Sequence, residues 1–324
     1  MTFGPKQPER VLFWIASASA LVALVALLRP PAETLLWKAL FDAGHAVVSG
    51  YLGLVFLRLI QAWTGGYPPL RASLWAFVIT MACGLGIEIV QIVLPRDANL
   101  GDLMRNGLGA AGMLSAEWAC ARDAGGRLVR QRWVRNGLLG GAIVLYLIAF
   151  APVGAIVWAY TQRDAAFPRL CDFDARWETY FVEMWKADLE RTPRPAGWGS
   201  GQAQDKAGLV TFRGGDYPRY VLKEPVRDWS HHRELVFEVF SQIGTPVEIV
   251  LRIDDAVHNQ EYDDRFNRPL MVSPGANLFR VPLADVRRTP RGREMDLTHI
   301  ARIVIFTVEP PQPLSLFFDA LRLE

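Results

Sequence analysis

The chain has 324 residues, 51% of them hydrophobic, and its 35 Lys and Arg nearly balance its 33 Asp and Glu. This balance, with no basic run interleaved with aromatic residues, argues against nucleic acid as a partner. The three cysteines, Cys83, Cys120 and Cys171, are too scattered to predict a disulfide framework or a metal site, and no cofactor is indicated.

The composition differs between the two halves of the chain. Nearly all long apolar runs lie within the first 160 residues, and charged residues crowd the remainder. We therefore predict two domains, a transmembrane helical domain over 1–162 and an extracytoplasmic β-sandwich domain over 163–324.

The first apolar run, Val11 to Leu28, has the length that a bilayer requires. A secretory signal peptide would also begin with basic residues such as Lys6 and Arg10, but no small-residue cleavage site follows. We predict a retained first span.

Four more apolar runs follow, which makes about five predicted spans. The runs are Ala43–Trp63, Ala72–Leu94, Leu103–Ala121 and Asn136–Tyr160. The fourth span contains Arg105, Asn106 and Glu117 and is rich in Gly and Ala, so we expect it to pack closely against neighbouring helices. Whether it crosses the bilayer completely stays open. Arg58, near the inner end of the second span, is expected to extend to the cytoplasmic headgroups.

The distribution of short-loop Lys and Arg predicts the orientation. With the N-terminus in the cytoplasm, the outer face keeps only Arg29, Lys38 and Arg96. The cytoplasmic face then receives Lys6, Arg10, Arg71, Arg122, Arg127, Arg130, Arg132 and Arg135. Five spans place the second half outside the cytoplasm, so we predict a multi-pass protein of the bacterial inner membrane.

The second half is predicted to be an all-β sandwich of the jelly-roll kind with one flanking helix. That helix is the amphipathic segment Ala175–Glu190, whose Trp177 and Trp185 are expected to face the core. From Leu209 onward, short alternating runs separated by Gly, Pro and Asp predict about eight strands.

Two kinds of strand are visible in the sequence. Apolar and polar residues alternate from Val247 to Ile253 and from Phe279 to Leu283, as in half-buried strands. The run Ile303–Val308 is apolar on both faces, which predicts a central strand.

Polar residues that are costly in a bilayer converge near the predicted outer ends of the second, third and fourth spans. Glu88 and Gln91 are three residues apart and Asp102 and Asn106 four apart, so each pair shares a helix face. The whole set is Asp42, His45, Glu88, Gln91, Arg96, Asp102, Arg105 and Asn106.

Within residues 10–120, the order of these residues resembles the VanZ-like membrane domain. The resemblance rests on Asp42-Ala-Gly-His45, Glu88-Ile-Val-Gln91, the run from Pro95 to Asp102, Asn106-Gly107, and Gly109 to Gly112. The family is named for a protein linked to low-level teicoplanin resistance, so the resemblance implies a role in the bacterial cell envelope related to glycopeptide resistance. The family has no settled biochemical activity, so the resemblance supplies candidate residues but no reaction.

The polar residues have both a chemical and a structural interpretation. His45 and Glu88 are the candidate catalytic pair, able to exchange protons beside a lipid-linked phosphate or glycan. The candidate anion- or substrate-binding residues are Asp42, Gln91, Arg96, Asp102, Arg105 and Asn106, near two predicted helix N-termini that would favour an anion. Alternatively, Asp42 and Asp102 are N-caps, and Arg96 pairs with Glu88 or Asp102. The amides of Gln91 and Asn106 would then form interhelical hydrogen bonds.

The second half is similar to carbohydrate-binding modules of the galactose-binding-like jelly-roll type. This resemblance rests on the closing run Phe317–Leu323, on Pro274-Gly275-Ala276-Asn277 and on Asp228-Trp229-Ser230. The loop from His258 to Asp264 has an aromatic residue beside amide and acidic groups, a composition found at sugar sites. Its candidate glycan-binding residues are Asn259, Tyr262 and Asp263. The alternative is a solvated loop without a ligand.

Three functions remain open. In the first, the VanZ-like bundle binds or modifies a lipid-linked glycan or lipid headgroup at the outer leaflet, and the β-domain engages envelope polysaccharide. In the second, the bundle is a non-enzymatic anchor that presents a binding module for glycan or an envelope protein. In the third, which we rank last, polar residues such as Glu88, Gln91 and Asn106 line a pathway for a small solute or ion; these residues lie only at the outer end of the spans. Enzymatic activity is therefore not decided by the sequence.

Overall fold

The computed structural model describes residues 7–27, 31, 33–64, 69–93, 100–121, 130–198 and 205–324. The chain divides into two compact units, Met1–Ile156 and Val157–Glu324.

The described part of the first unit is helical, and each predicted apolar run forms a helix. Three of these helices are long and apolar enough to cross a membrane, namely Leu35–Thr64, Leu70–Ile89 and Arg132–Ala166. A helical domain with several candidate spans is thereby established. The number of five spans stays a prediction. The helices are α1 Gln7–Leu27, α2 Leu35–Thr64, α3 Pro69–Val93, α4 Leu100–Ala119 and α5 Arg132–Ala166, the last of which continues into the second unit.

Helix α2 begins eight residues before the predicted start of the second span. Asp42 therefore lies two turns inside the helix, and the interpretation of Asp42 as an N-cap of α2 is wrong. For the same reason His45 is not near the N-terminus of α2, so this helix end does not contribute an anion site beside it. Asp102 lies within the first turn of α4, two residues after its first residue.

Small residues allow α2 and α4 to pack closely. A Cβ atom placed on Gly109 of α4 would lie only 1.8 Å from the carbonyl oxygen of Ala46 in α2. This is the close approach expected for the glycine-rich fourth run. Elsewhere between these helices, Arg58 Nη2 lies 2.5 Å from Glu117 Oε1. Arg58 thus pairs with Glu117 within the bundle, and its extension to the cytoplasmic headgroups stays a prediction.

The second unit is a β-sandwich of two antiparallel sheets. The strands are β1 Arg169–Cys171, β2 Val182–Trp185, β3 Ala187–Pro193, β4 Lys206–Phe212, β5 Arg219–Lys223, β6 Glu234–Ser241, β7 Val247–Asp255, β8 Phe266–Val272, β9 Gly275–Pro282, β10 Ile300–Phe306 and β11 Leu314–Leu323. One sheet has the order β3-β4-β11-β6-β9, with β1 beside β11, and the other has the order β2-β5-β10-β7-β8. The sheets meet where Tyr220 and Phe318 have ring centroids 5.9 Å apart.

The strand predictions are confirmed except at two ends: β9 ends at Pro282, so Leu283 begins α6, and β10 ends at Phe306, before the predicted Val308. Eight strands, β4 to β11, follow one another from Lys206 to Leu323. Ile249, Leu251 and Ile253 of β7 are buried between more exposed neighbours, as the alternation predicted. Strand β10, formed from the run that was predicted to be central, lies between β5 and β7.

The predicted flanking helix over Ala175–Glu190 is wrong. A short 3-10 helix, Arg176–Phe181, is followed directly by strands β2 and β3. From Val182 onward the side chains alternate with period two, so these residues complete the sheets by pairing with β5 and β4. Trp177 is buried as expected, but Trp185 is 50% exposed. The helix that does occur beside the sheets is α6, Leu283–Arg288, with only six residues.

Candidate functional site

In the helical unit, Arg105 joins two aspartates from different helices. Its Nη1 donates to Asp102 Oδ1 at 2.6 Å, and its Nη2 lies 3.7 Å from Asp42 Oδ2. Three of the predicted substrate-binding residues thus contact one another. One guanidinium serves two carboxylates, so each carboxylate has a cationic partner but the three side chains keep one excess negative charge.

Two more of the predicted residues lie where α3 packs against α4. The buried side chain of Asn106 lies against Gly84, since a Cβ atom placed on that glycine would be 2.9 Å from Asn106 Nδ2. Glu88 follows Gly84 by one helical turn, so it lies on the same face of α3. Glu88 is only 7% exposed, so its side chain is buried in the helical unit.

The acid–base pair His45 and Glu88 stays a prediction. His45 lies three residues after Asp42 on α2, and its side chain is half-buried. Its carbonyl oxygen accepts a hydrogen bond from Ser49 Oγ at 2.7 Å. The side chain of Gln91 and the whole of Arg96 lie outside the described residues.

In the β-sandwich, the loop between β7 and β8 is fixed by an ion-pair network. Asp264 Oδ2 accepts a hydrogen bond from the backbone nitrogen of Asn259 at 2.9 Å, and Asp264 Oδ1 accepts one from Arg293 Nε. The hydrogen bond from Arg293 is the main cause that lowers the pKa of Asp264 to about 2. These contacts tie the loop to Arg293 in the segment that follows α6.

Within this loop, Asn259 has a structural role. Its Oδ1 accepts a hydrogen bond from the backbone nitrogen of Glu261 at 2.8 Å, so its amide oxygen is used to shape the turn. The neighbouring His258 is buried, and its Nδ1 lies 2.8 Å from the carbonyl oxygen of Asp264. Asn259 does not line the cavity described next, in contrast to the other two predicted glycan-binding residues.

A cavity of about 360 Å³ opens beside this loop. The phenol ring of Tyr262 is 68% exposed, and the guanidinium carbon of Arg265 lies 5.0 Å from its centroid. Two polar atoms of the lining, Arg265 Nε and Asn267 Oδ1, are buried without a hydrogen-bond partner. The lining consists of Tyr262, Asp263, Arg265, Asn267, Thr289 and Arg291.

Four lining residues were missed from the sequence. Arg265 and Asn267 flank the buried Phe266, so period two places them together on the outer side of β8, and this signal was available. Thr289 and Arg291 follow α6, and only the tertiary fold brings them to the cavity. No sequence pattern indicates that position.

The outer face of the five-stranded sheet continues from the cavity to a group of exposed aromatic residues. Arg252 of β7 is the register partner of Asn267. Val250, on the same face two residues earlier, is paired with Phe306, which in turn is paired with Arg219. Trp185 and Tyr217 are exposed here, where the guanidinium of Arg219 lies 5.3 Å from the Trp185 ring and Tyr217 lies 6.0 Å from Phe306. Cavity and aromatic residues thus share one surface.

No group of three or more His, Cys, Asp or Glu side chains is placed to hold a metal ion within the part of the chain that the structure describes. The lining of the cavity offers guanidinium, amide, hydroxyl and carboxylate groups.

No known protein family matches the chain, and no curated protein matches it either. The resemblance to the VanZ-like domain therefore rests on the motifs alone.

Solved structures with a similar fold include carbohydrate-binding modules. The family 11 carbohydrate-binding module from Clostridium thermocellum, in complex with a β-1,3-1,4-mixed-linked tetrasaccharide, is 18% identical, with 48% of this chain and 93% of that chain covered and a TM-score of 0.36. An exo-β-agarase is 14% identical over 48% of this chain and 24% of that chain, with a TM-score of 0.39. The CBM22-1–GH10 modules of a Clostridium thermocellum xylanase, complexed with xylohexaose, are 10% identical over 48% and 27% of the two chains, with a TM-score of 0.33.

Proposed function

We propose that this chain is a multi-pass protein of the bacterial inner membrane that presents a glycan-binding β-sandwich outside the cytoplasm. The observation that supports glycan binding is the cavity beside Tyr262, whose lining also offers guanidinium, amide and hydroxyl atoms. A sugar ring offers C–H groups that stack on an aromatic face and hydroxyls that hydrogen-bond to such atoms.

For the helical domain, the proposal follows its VanZ-like motifs. The bundle binds or modifies a lipid-linked glycan or a lipid headgroup at the outer leaflet, with His45 and Glu88 as the candidate acid–base pair. Its support is the burial of Glu88 and, as a separate observation, the ion-paired group of Arg105, Asp42 and Asp102 in the same helical unit. Buried ionisable groups in a membrane domain are functional candidates by default.

A second candidate function is a non-enzymatic anchor for the β-sandwich. It is favoured by the contacts of Arg105 with Asp42 and Asp102, because these charges already have partners within the bundle. The variants His45→Asn and Glu88→Gln separate the two functions. An anchor keeps its membrane yield and glycan binding with either change, whereas an enzyme loses a lipid product that mass spectrometry of membrane extracts detects.

Glycan binding is tested with the full chain in detergent micelles, immobilised for interferometry against a panel of soluble polysaccharides. We expect Tyr262→Ala to weaken binding at least tenfold, since stacking area is lost from the cavity wall. The matched control is Leu278→Ala, an exposed position on the other sheet, which should bind like the parent. A parent chain that binds no polysaccharide of the panel would refute glycan binding.

A further inference from the structure

The ion pairs around the cavity leave one guanidinium without a carboxylate. Asp254 is shared by two arginines: Arg252 donates to it from Nε at 2.8 Å and Nη2 at 2.7 Å, and Arg302 donates from Nε at 2.5 Å. Asp263 lies 3.6 Å from Arg291 and balances that charge. Within the described ranges, Arg265 has no carboxylate at ion-pair distance, and its recorded contact is the ring of Tyr262.

Two further arginines lie near Arg265 and share one carboxylate. Burial, and next the charge of Arg252, lowers the pKa of Arg265, while Asp254 opposes this effect. Three guanidiniums, those of Arg252, Arg265 and Arg302, thus lie near a single buried carboxylate. A desolvated cation in this setting is stabilised by an incoming anion, and neutral hydroxyls compensate it only weakly.

The geometry at the cavity wall suits an oxyanion attached to a sugar ring. A guanidinium presents several N–H donors in a fixed plane and bonds carboxylate or sulfate at two points. Arg265 and Tyr262 both line the cavity, and Tyr262 is an exposed residue. An acidic sugar could therefore stack on Tyr262 while its anionic group accepts hydrogen bonds from Arg265.

We propose that this cavity selects acidic glycans, with Arg265 as the residue that binds their carboxylate or sulfate group. The inference rests on the proposed glycan-binding function and adds the chemical class of the ligand. Carboxylated and sulfated glycans share the oxyanion that Arg265 binds, so the experiment compares both with a neutral glycan.

The experiment measures binding of the full chain in detergent micelles to polygalacturonate, dextran sulfate and neutral dextran of similar length. We expect one or both anionic polymers to bind at least tenfold more tightly than dextran, with affinity that falls as salt is added. Arg265→Gln should lose at least tenfold in affinity for the anionic polymer and clearly less for dextran, because a neutral glycan loses only hydroxyl contacts. Whichever anionic polymer depends more strongly on Arg265 identifies the source of the oxyanion.

The matched control is Arg280→Gln, which removes the same charge from the other sheet, where Arg280 pairs with Glu234 and Glu324. It should retain parental affinity. Equal losses in the Arg280 and Arg265 variants would indicate general charge attraction and overturn the inference. Arg265→Lys keeps the positive charge at this position. The melting temperatures of the Arg265 variants show whether a loss of binding comes from a folding defect.

The two proposals fail in different ways. Equal affinity for dextran and the acidic polymers, with no effect of Arg265→Gln, would overturn acidic selectivity and leave glycan binding intact. Absence of binding to all three polymers and to the wider polysaccharide panel would overturn both.

Discussion

Arg293 and Asp255 form a two-point ion pair, with Nη1 and Nη2 of the guanidinium 2.5 and 2.9 Å from the two carboxylate oxygens. The carboxylate of Asp255 is fully buried, and Arg293 also reaches Asp264 in the loop of the candidate glycan site. The segment after α6 is thereby tied to the end of β7 and to the β7–β8 loop. This single arginine holds together three pieces of chain that surround the cavity.

Replacing Arg293 by Met should therefore destabilise the β-sandwich. The change leaves Asp255 buried without its partner, which costs about 3 kcal/mol when a buried pair is broken. For a domain of this size we expect the unfolding temperature to fall by roughly 6 to 12 °C, followed by near-ultraviolet circular dichroism. Arg291→Met is the control, because Arg291 is 85% exposed and its contact with Asp263 is a surface pair. Equal melting of both variants would contradict this role of Arg293.

Glu178 should make the β-sandwich less stable at alkaline pH. Burial, and next the charge of Asp172, raises the pKa of Glu178 from its ordinary value of 4.5 to about 8. Between these values the folded state binds one more proton than the unfolded state, so the free energy of unfolding falls as pH rises through this window. We expect Glu178→Gln to melt like the parent near pH 4.5 and at a higher temperature above pH 8.

The control for this prediction is Glu183→Gln, at an exposed carboxylate paired with Lys223. Its melting temperature should follow the parent across the pH range. Parallel curves for the parent and Glu178→Gln would show that Glu178 is not the titrating group.

The sequence predicted elements whose periodicity is long and uninterrupted. The alternation along β7 and the apolar run of β10 each led to the correct strand, because burial on one or both faces imposes these patterns. The segment around Trp177 and Trp185 was wrongly predicted to be a helix. Two tryptophans eight residues apart satisfy a helical period, although Val182 to Trp185 alternates with period two. Pairing with β5 decided the outcome, and this tertiary contact is not visible in the sequence.

The same limit applies to the sites. Tyr262 and Asp263 were predicted from loop composition and do line the cavity. Arg265 and Asn267 acquire their significance from lacking partners, a property that depends on every neighbour in the fold. In the bundle, the contact of Arg105 with Asp42 joins positions on different helices, whereas sequence spacing relates residues only along one helix.

Gly109→Leu should disrupt the packing of α2 on α4. Any side chain at this position meets the carbonyl oxygen of Ala46, because even a Cβ atom would lie 1.8 Å away. Overpacking costs about 1 to 3 kcal/mol where neighbours yield, and more where the obstacle is backbone. We expect a clear loss of thermal stability in detergent. Gly140→Leu on α5 is the control, since a Cβ atom there has no neighbour within 4 Å.

The membrane topology is predicted to place the β-sandwich outside the cytoplasm. Short-loop Lys and Arg favour a cytoplasmic N-terminus, and an odd number of spans then carries the chain across. Alkaline phosphatase and green fluorescent protein, fused in turn after Ala165 and after Glu324, report the two sides of the membrane. We expect active phosphatase and a dark fluorescent protein at both positions. The opposite pattern would mean an even number of spans. Helix α4 would then be the first candidate for a helix that does not cross the membrane, because its sequence contains the polar residues Arg105, Asn106 and Glu117. The β-sandwich would then face cytoplasmic ligands, and contact with envelope glycans would be excluded.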